Sequence, residues 1–237
     1  MRKSIVIIGI LFATKMAAQS QSSGWMASFN TIGLANRFSM HFDGQMRSSD
    51  QWEELQTILL RPGLNYHARR NISASLGYAY VGNRREVDEL KLRAAEHRIW
   101  QQLILSHNWL SVATAHRFRL EQRFVPTVEI EDNELIVTER DLTHRFRYFV
   151  RNVLPLQKDD EFTKGFFAAV QNEVFLNVAN DGVSNGKFFD QNRLYGAIGY
   201  RLGKKIDVES GYLNQFVRRR SGSTTAHVLQ FAVYTRL

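Results

Sequence analysis

The sequence contains no cysteine. That excludes disulfides, thiolate metal sites and the thioether-linked lipid anchor of bacterial lipoproteins. It holds no uninterrupted run of about 18 apolar residues, so no stretch is suited to cross a bilayer as a helix. It also lacks an HExxH pair for zinc and a GxSxG elbow for a serine nucleophile. What it has is aromatic residues, 12% of the chain, at a mean hydropathy of −0.31. A length of 237 residues suits one or two soluble domains or a single β-barrel. In a transmembrane barrel only half the strand residues face lipid, which allows a slightly polar average.

Residues 1–18 read as a secretory signal. Arg2 and Lys3 are the basic start, Ser4–Thr14 the apolar region and Ala17–Ala18 the small-residue end. Lys15 cuts the apolar run short of a membrane span. Cleavage after Ala18 and after Ser20 are both compatible with the small-residue rule. Removing residues 1–18, with three basic and no acidic groups, lowers the net charge from +8 to +5.

The clearest pattern is HRFRLEQRF, His116–Phe124, and its echo HRFRYFVR, His144–Arg151. In the first, Arg117, Arg119, Glu121 and Arg123 fall on one side and Phe118, Leu120 and Phe124 on the other, with Gln122 the exception. In the second, Arg145, Arg147 and Arg151 oppose Phe146, Tyr148 and Val150. A period of two means a strand, because successive side chains point to opposite faces. Arginine rarely enters a dry core unpaired. Such a strand separates a polar lumen or water from a core or lipid.

The rest of the mature chain repeats the theme. Strands are expected at Gly24–Gly33, Asn36–Arg47, Leu55–His67, Ile72–Val81 and Glu96–His107, then over the two arginine stretches. Gly165–Asn177, Phe188–Leu202, Ile206–Arg218 and Thr225–Leu237 follow. Pro62 lacks a ladder N–H, so a bulge or weak pairing is expected there. Gly82–Ala95 reads as a charged loop or strand extension, and Pro126–Arg140 as a long acidic loop. In Glu96–His107, Trp100 falls on the polar face and Gln101 on the apolar one, so the inward face is open. Connections alternate short and long, as periplasmic turns and outer loops do. The expected fold is all-β: an antiparallel transmembrane barrel of about 10–12 strands over residues 19–237. An even count of ten runs from Asn36. Gly24–Gly33 is then a tail in the lumen, part of one long bent strand, or one of twelve.

Several phrases occur together: Glu96-His-Arg-Ile-Trp-Gln-Gln-Leu, Arg117-Phe-Arg-Leu-Glu-Gln-Arg-Phe, Arg145-Phe-Arg-Tyr, Asn172-Glu-Val-Phe and Gln191-Asn-Arg-Leu-Tyr, followed by Gly199-Tyr. In this the mature chain resembles the domain of unknown function 2490 (DUF2490) family, predicted outer-membrane barrels of Gram-negative bacteria. The resemblance implies location and fold. It carries no activity and no catalytic residues.

The expected lumen network comprises Arg61, Glu96, Arg98, Arg117, Arg119, Glu121, Arg123, Arg145, Arg147, Arg151, Glu173, Arg193 and Glu209. Such a set is either an anion-selective lumen or a filling of Arg–carboxylate forks. Asn172, Glu173, Gln191, Asn192 and Arg193 form a polar pocket if their strands are neighbours. The histidines are His41, His67, His97, His107, His116, His144 and His227, with no serine placed beside them by a motif. Glu129, Glu131, Asp132 and Glu134 offer oxygen ligands, but not at EF-hand spacing. Trp25, Trp52, Trp100 and Trp109 suit aromatic girdles. Arg218–Arg220 suits lipopolysaccharide phosphates. No catalytic, metal or cofactor site is expected. The expected partners are outer-membrane lipid, lipopolysaccharide and the barrel-assembly machinery. The pI near 9.9 suggests nucleic acid, but export and inward arginines argue against it. A barrel-embedded lipid hydrolase or acyltransferase and a soluble periplasmic barrel for an apolar ligand are the alternatives.

Overall fold

The computed structural model describes residues 19–157 and 162–237; the signal segment expected at residues 1–18 lies outside the described residues. The strands are β1 (Gln19–Ala35), β2 (Phe38–Ser48), β3 (Leu55–Arg69), β4 (Ile72–Val87), β5 (Leu90–Trp109) and β6 (Val112–Glu131). They continue as β7 (Glu134–Pro155), β8 (Gly165–Ala179), β9 (Phe189–Gly203), β10 (Ile206–Arg218) and β11 (Ser223–Arg236). Each strand pairs with the next, and β1 meets β11 to close one barrel.

Eleven strands lie within the expected range but not at an even number. Strand direction alternates along the chain, so an odd count makes the first and last strands run the same way. The seam is accordingly parallel, from Gln19↔Thr224 to Thr31↔Arg236, while every other pairing is antiparallel. The Gly24–Gly33 segment is neither a lumen tail nor half of a missing hairpin. It lies inside β1, paired on both sides.

One rim carries the short turns at residues 36–37, 70–71, 110–111 and 204–205. The other carries the connections at residues 49–54, 180–188 and 219–222. Two stretches read as loops or loop-like belong to strands. Residues 82–95 continue the β4–β5 ladder to a tip at Asp88 and Glu89. Residues 126–140 continue β6 and β7, with one register shift, to a tip at Asp132 and Asn133. All four tip residues have positive φ (50°, 69°, 48° and 63°), the geometry of a two-residue type I′ turn. The acidic group therefore lies along a hairpin: Glu131 faces Glu134 and Glu129 faces Ile136. Among the described residues no cluster of three or more metal-ligating side chains forms.

Pro62 interrupts without shifting register. The β3–β4 ladder runs from Leu60↔Tyr80 to Gly63↔Gly77 with Arg61 and Pro62 unpaired on that side, as expected where an N–H is missing.

The outer face is apolar: Met40, Leu64, Leu76, Ile99, Leu103, Phe166, Ile198 and Phe231 are all exposed on it. The polar groups on it pair with one another. Gln101 and Gln122 exchange amide hydrogen bonds at 3.1 and 3.2 Å. Tyr78–His97, Tyr148–His116 and Tyr212–His227 bond at 2.5, 2.9 and 2.5 Å. This settles the Glu96–His107 face: Glu96, Arg98, Trp100 and Gln102 point inward and Gln101 outward.

The girdle expectation fails for two of four tryptophans. Trp109 is 72% exposed at the turn rim, but Trp25 and Trp100 are buried in the lumen. Trp100 fits because Gly63 and Gly77 face it; a Cβ on either would collide with its ring. Trp52 lies in the 49–54 connection with its ring against Gly24. One side of the lumen is apolar, with Trp25, Phe167, Tyr195, Leu213 and Val228 packed together.

Candidate functional site: a basic lumen

β5, β6 and β7 build the charged wall. Their lumen-facing positions alternate strictly, so adjacent strands bring Arg98, Glu121 and Arg145 into reach. Glu121 is 1% exposed and is the hub. It accepts from Arg145 at 2.7 Å and Arg147 at 2.5 Å, with Arg98 at 3.8 Å and Arg119 at 4.0 Å. Glu96 takes Arg98 at 2.7 Å and Arg123 at 2.6 Å. Glu173 takes Arg117 at 2.8 Å and Arg147 at 2.7 Å. Glu209 takes Arg151 at 2.5 Å and the Tyr234 hydroxyl at 2.8 Å. Arg119 donates to Gln102 Oε1 at 2.6 Å and stacks over Trp100 at 4.6 Å. Glu121, Glu96 and Glu173 thus each serve two or more cations, and Glu209 serves one beside a tyrosine hydroxyl.

Six participants escaped the sequence reading. Asp43 holds Arg61 and also His41, the latter at 2.9 Å. Asp190 receives Arg145 at 3.0 Å. Asp207 holds Arg201 at 2.8 Å and also Arg236. The sixth is Arg47, on β2. Counting by twos from Ser39 through His41, Asp43 and Gln45 reaches it, so the signal was present but faint.

Arg47 and Arg193 differ from the rest. Arg47 donates to Gln45 at 2.7 Å and its guanidinium carbon lies 4.1 Å from the Trp25 ring centroid. Arg193 lies 5.0 Å from the Trp25 ring and 4.7 Å from that of Phe175. Neither forms an ion pair with a carboxylate among the described residues, and the Nε groups of both are buried without an acceptor, as is that of Arg117.

The free space follows from this. A cavity of about 610 Å³ is lined by Thr31 and Arg236 toward the turn rim and by Asn83 and Arg85 toward the other. Twelve arginines line it, against two carboxylates, Glu96 and Glu173. Asp43, Glu121, Asp207 and Glu209 do not line it. A second cavity of about 960 Å³ opens at the loop rim, lined by Arg218, Arg219 and Arg220. The two share Arg85, Glu96, Arg123, Arg145 and Gln191.

The expected Asn172–Arg193 pocket is split by the wall. β8 and β9 are neighbours, with Glu173↔Arg193 and Phe175↔Gln191 in register. Glu173, Gln191 and Arg193 face the lumen. Asn172 and Asn192 bond each other on the opposite face, at 3.1 Å. One Ser–His contact exists that no motif announced: Ser39 Oγ lies 2.8 Å from His67 Nε2. Ser39 also accepts from Asn65 at 3.0 Å, and Asn65 accepts from Ser75 at 2.7 Å. Ser39 is 4% exposed. No carboxylate orients His67 among the described contacts, so the arrangement is a hydrogen-bonded wall rather than a triad.

Comparisons with known proteins give a family and add no activity. An uncharacterized protein of Methylorubrum extorquens is 28% identical over 214 residues, covering 88% of this chain and 83% of its own. No solved structure matches. The model of the family described as "Protein of unknown function (DUF2490)" matches residues 22–226, and the chain belongs to that family.

Proposed function

We propose that this protein is an outer-membrane β-barrel whose arginine-lined lumen is a narrow, porin-like passage for small anions. The observation that carries the reading is the lining: twelve arginines face a cavity that shows only two carboxylates. Rings of arginine favour anions and repel cations. Size points the same way. Spread over roughly 30 Å of barrel height, about 610 Å³ leaves a mean section of roughly 20 Å² for solute centres. That admits an ion of chloride size.

The outer surface supports a lipid setting. Its apolar side chains have no protein partner, and its glutamines, tyrosines and histidines satisfy one another, as polar groups in hydrocarbon must. Export through residues 1–18, insertion by the barrel-assembly machinery and contact of Arg218–Arg220 with lipopolysaccharide phosphates belong to the same reading. A soluble barrel for an apolar ligand would need its apolar face inside, where the arginines stand.

The test is anion entry into proteoliposomes that hold a halide-quenched dye. Refolded protein should speed iodide entry. Iodide entry no faster than in empty vesicles, from a barrel shown to be folded, would reject the passage.

A further inference from the structure

Apart from the exposed Arg85, two arginines of the free lumen form no ion pair among the described residues, and they stand together. Both guanidinium carbons, of Arg47 and Arg193, lie within about 5 Å of the single Trp25 ring, and Arg193 also covers Phe175. Each has a buried Nε–H with no acceptor. Two half-buried like charges with no carboxylate in ion-pair range are costly, and Glu173, in register with Arg193, offsets that on one side only. Indole stacking returns only a part of that. Gln230, in register with Trp25 across the seam, and Gln191 add amide groups to the same cavity.

The geometry points to a phosphate-class oxyanion site between Arg47 and Arg193, with Trp25 and Phe175 as its walls. The planar guanidinium fork fits phosphate oxygens two at a time, which halide ions cannot exploit. Aromatic walls exclude water and hold both forks at a fixed spacing. Arg117, the third cation with an unused Nε–H, lines the same cavity, so a doubly charged anion has positive charge around it. The site deepens the anion-passage reading: it gives the lumen a station at which one class of anion dwells.

The experiment is calorimetric titration of refolded full-length protein in uncharged detergent with inorganic phosphate, at constant ionic strength against chloride, beside conductance of the same preparations. Phosphate should bind and should reduce chloride current. Arg47→Gln and Arg193→Gln should each weaken binding about ten-fold, and the pair should abolish it. Arg47→Lys, which keeps the charge and loses the fork, should weaken it less than Arg47→Gln. Lys91→Gln, on the exposed hairpin, should leave it unchanged. Because a glutamine variant can fail to fold, each is scored only with an intact heat-modifiable barrel, and Arg47→Lys carries the test if Arg47→Gln does not fold. A phosphatidic acid micelle should not compete, since the site lies inside the lumen; competition would overturn the free-anion site in favour of a lipid headgroup. Phosphate binding equal in wild type and Arg47→Lys/Arg193→Lys would also overturn the site. Anion-selective current without phosphate binding removes the site and leaves the passage; binding without current removes the passage and leaves the site.

Discussion

Glu121→Gln is the sharpest perturbation of the network. Glu121 is 1% exposed and accepts from Arg145 and Arg147, with Arg98 and Arg119 within 4.0 Å. Removing one member of a buried pair costs about 3–5 kcal/mol, because the partner stays buried without compensation. Here Arg98, Arg145 and Arg147 each keep one further carboxylate (Glu96, Asp190 and Glu173) and the amide oxygen keeps one acceptor, but the charge shared by four arginines is lost at once. An expected cost is therefore about 4 kcal/mol. With a urea slope of roughly 2 kcal/mol/M, the midpoint falls by about 2 M. The assay is urea unfolding of the refolded barrel in lipid vesicles, followed by tryptophan fluorescence. The paired control is Glu129→Gln on the exposed hairpin, where surface charge is worth about 0–1 kcal/mol. If Glu121→Gln shifts the midpoint no more than Glu129→Gln, the hub does not bind the wall together and the assignment of its partners is wrong.

Gly77→Ala puts a methyl group into the Trp100 ring and the Pro62 carbonyl; the same unfolding assay should show a loss of at least about 1–3 kcal/mol, as overpacking does, and no loss would mean Trp100 does not occupy that slot. Gln101→Leu should cost about 1–2 kcal/mol in lipid vesicles by orphaning Gln122, while Gln101→Leu with Gln122→Leu should be near neutral. Equal behaviour of the single and double variants would argue that this face meets water. Ala27→Cys with Ala232→Cys should cross-link through a short bis-thiol reagent, since the two residues are in register across the parallel seam. Ala27→Cys with Ser223→Cys should not, and the absence of native cysteine leaves no background. A reversed pattern would disprove the seam.

Much of the barrel was legible because each strand with a lipid-like face and a charged face alternates by twos. His116–Phe124 and His144–Arg151 announce both faces unaided. β1 does not: Ser23, Trp25, Ala27 and Phe29 face inward while Ser28 and Asn30 lie among the outward set, so polarity does not separate its sides. Its partner β11 lies at the far end of the sequence, and a parallel seam leaves no local signature. The hairpin arms at residues 82–95 and 126–140 were read as loops or loop-like for another reason. They extend beyond their neighbours, both faces are solvated over much of their length, and charge falls on either side. Trp100 looked misplaced because its slot is made by Gly63 and Gly77, on other strands. The paired arginines were visible as inward charges, but not which of them lack a partner. That distinction depends on where Asp43, Asp190 and Asp207 fall, and only the closed barrel brings them together.

The central claim is that the free lumen selects anions, and the reversal potential in a planar bilayer under a potassium chloride gradient tests it most directly. Discrete small steps whose reversal potential lies toward that of chloride, and shifts toward zero in Arg117→Gln, are the predicted result. A reversal potential toward that of potassium, or silence from a folded barrel, would contradict it.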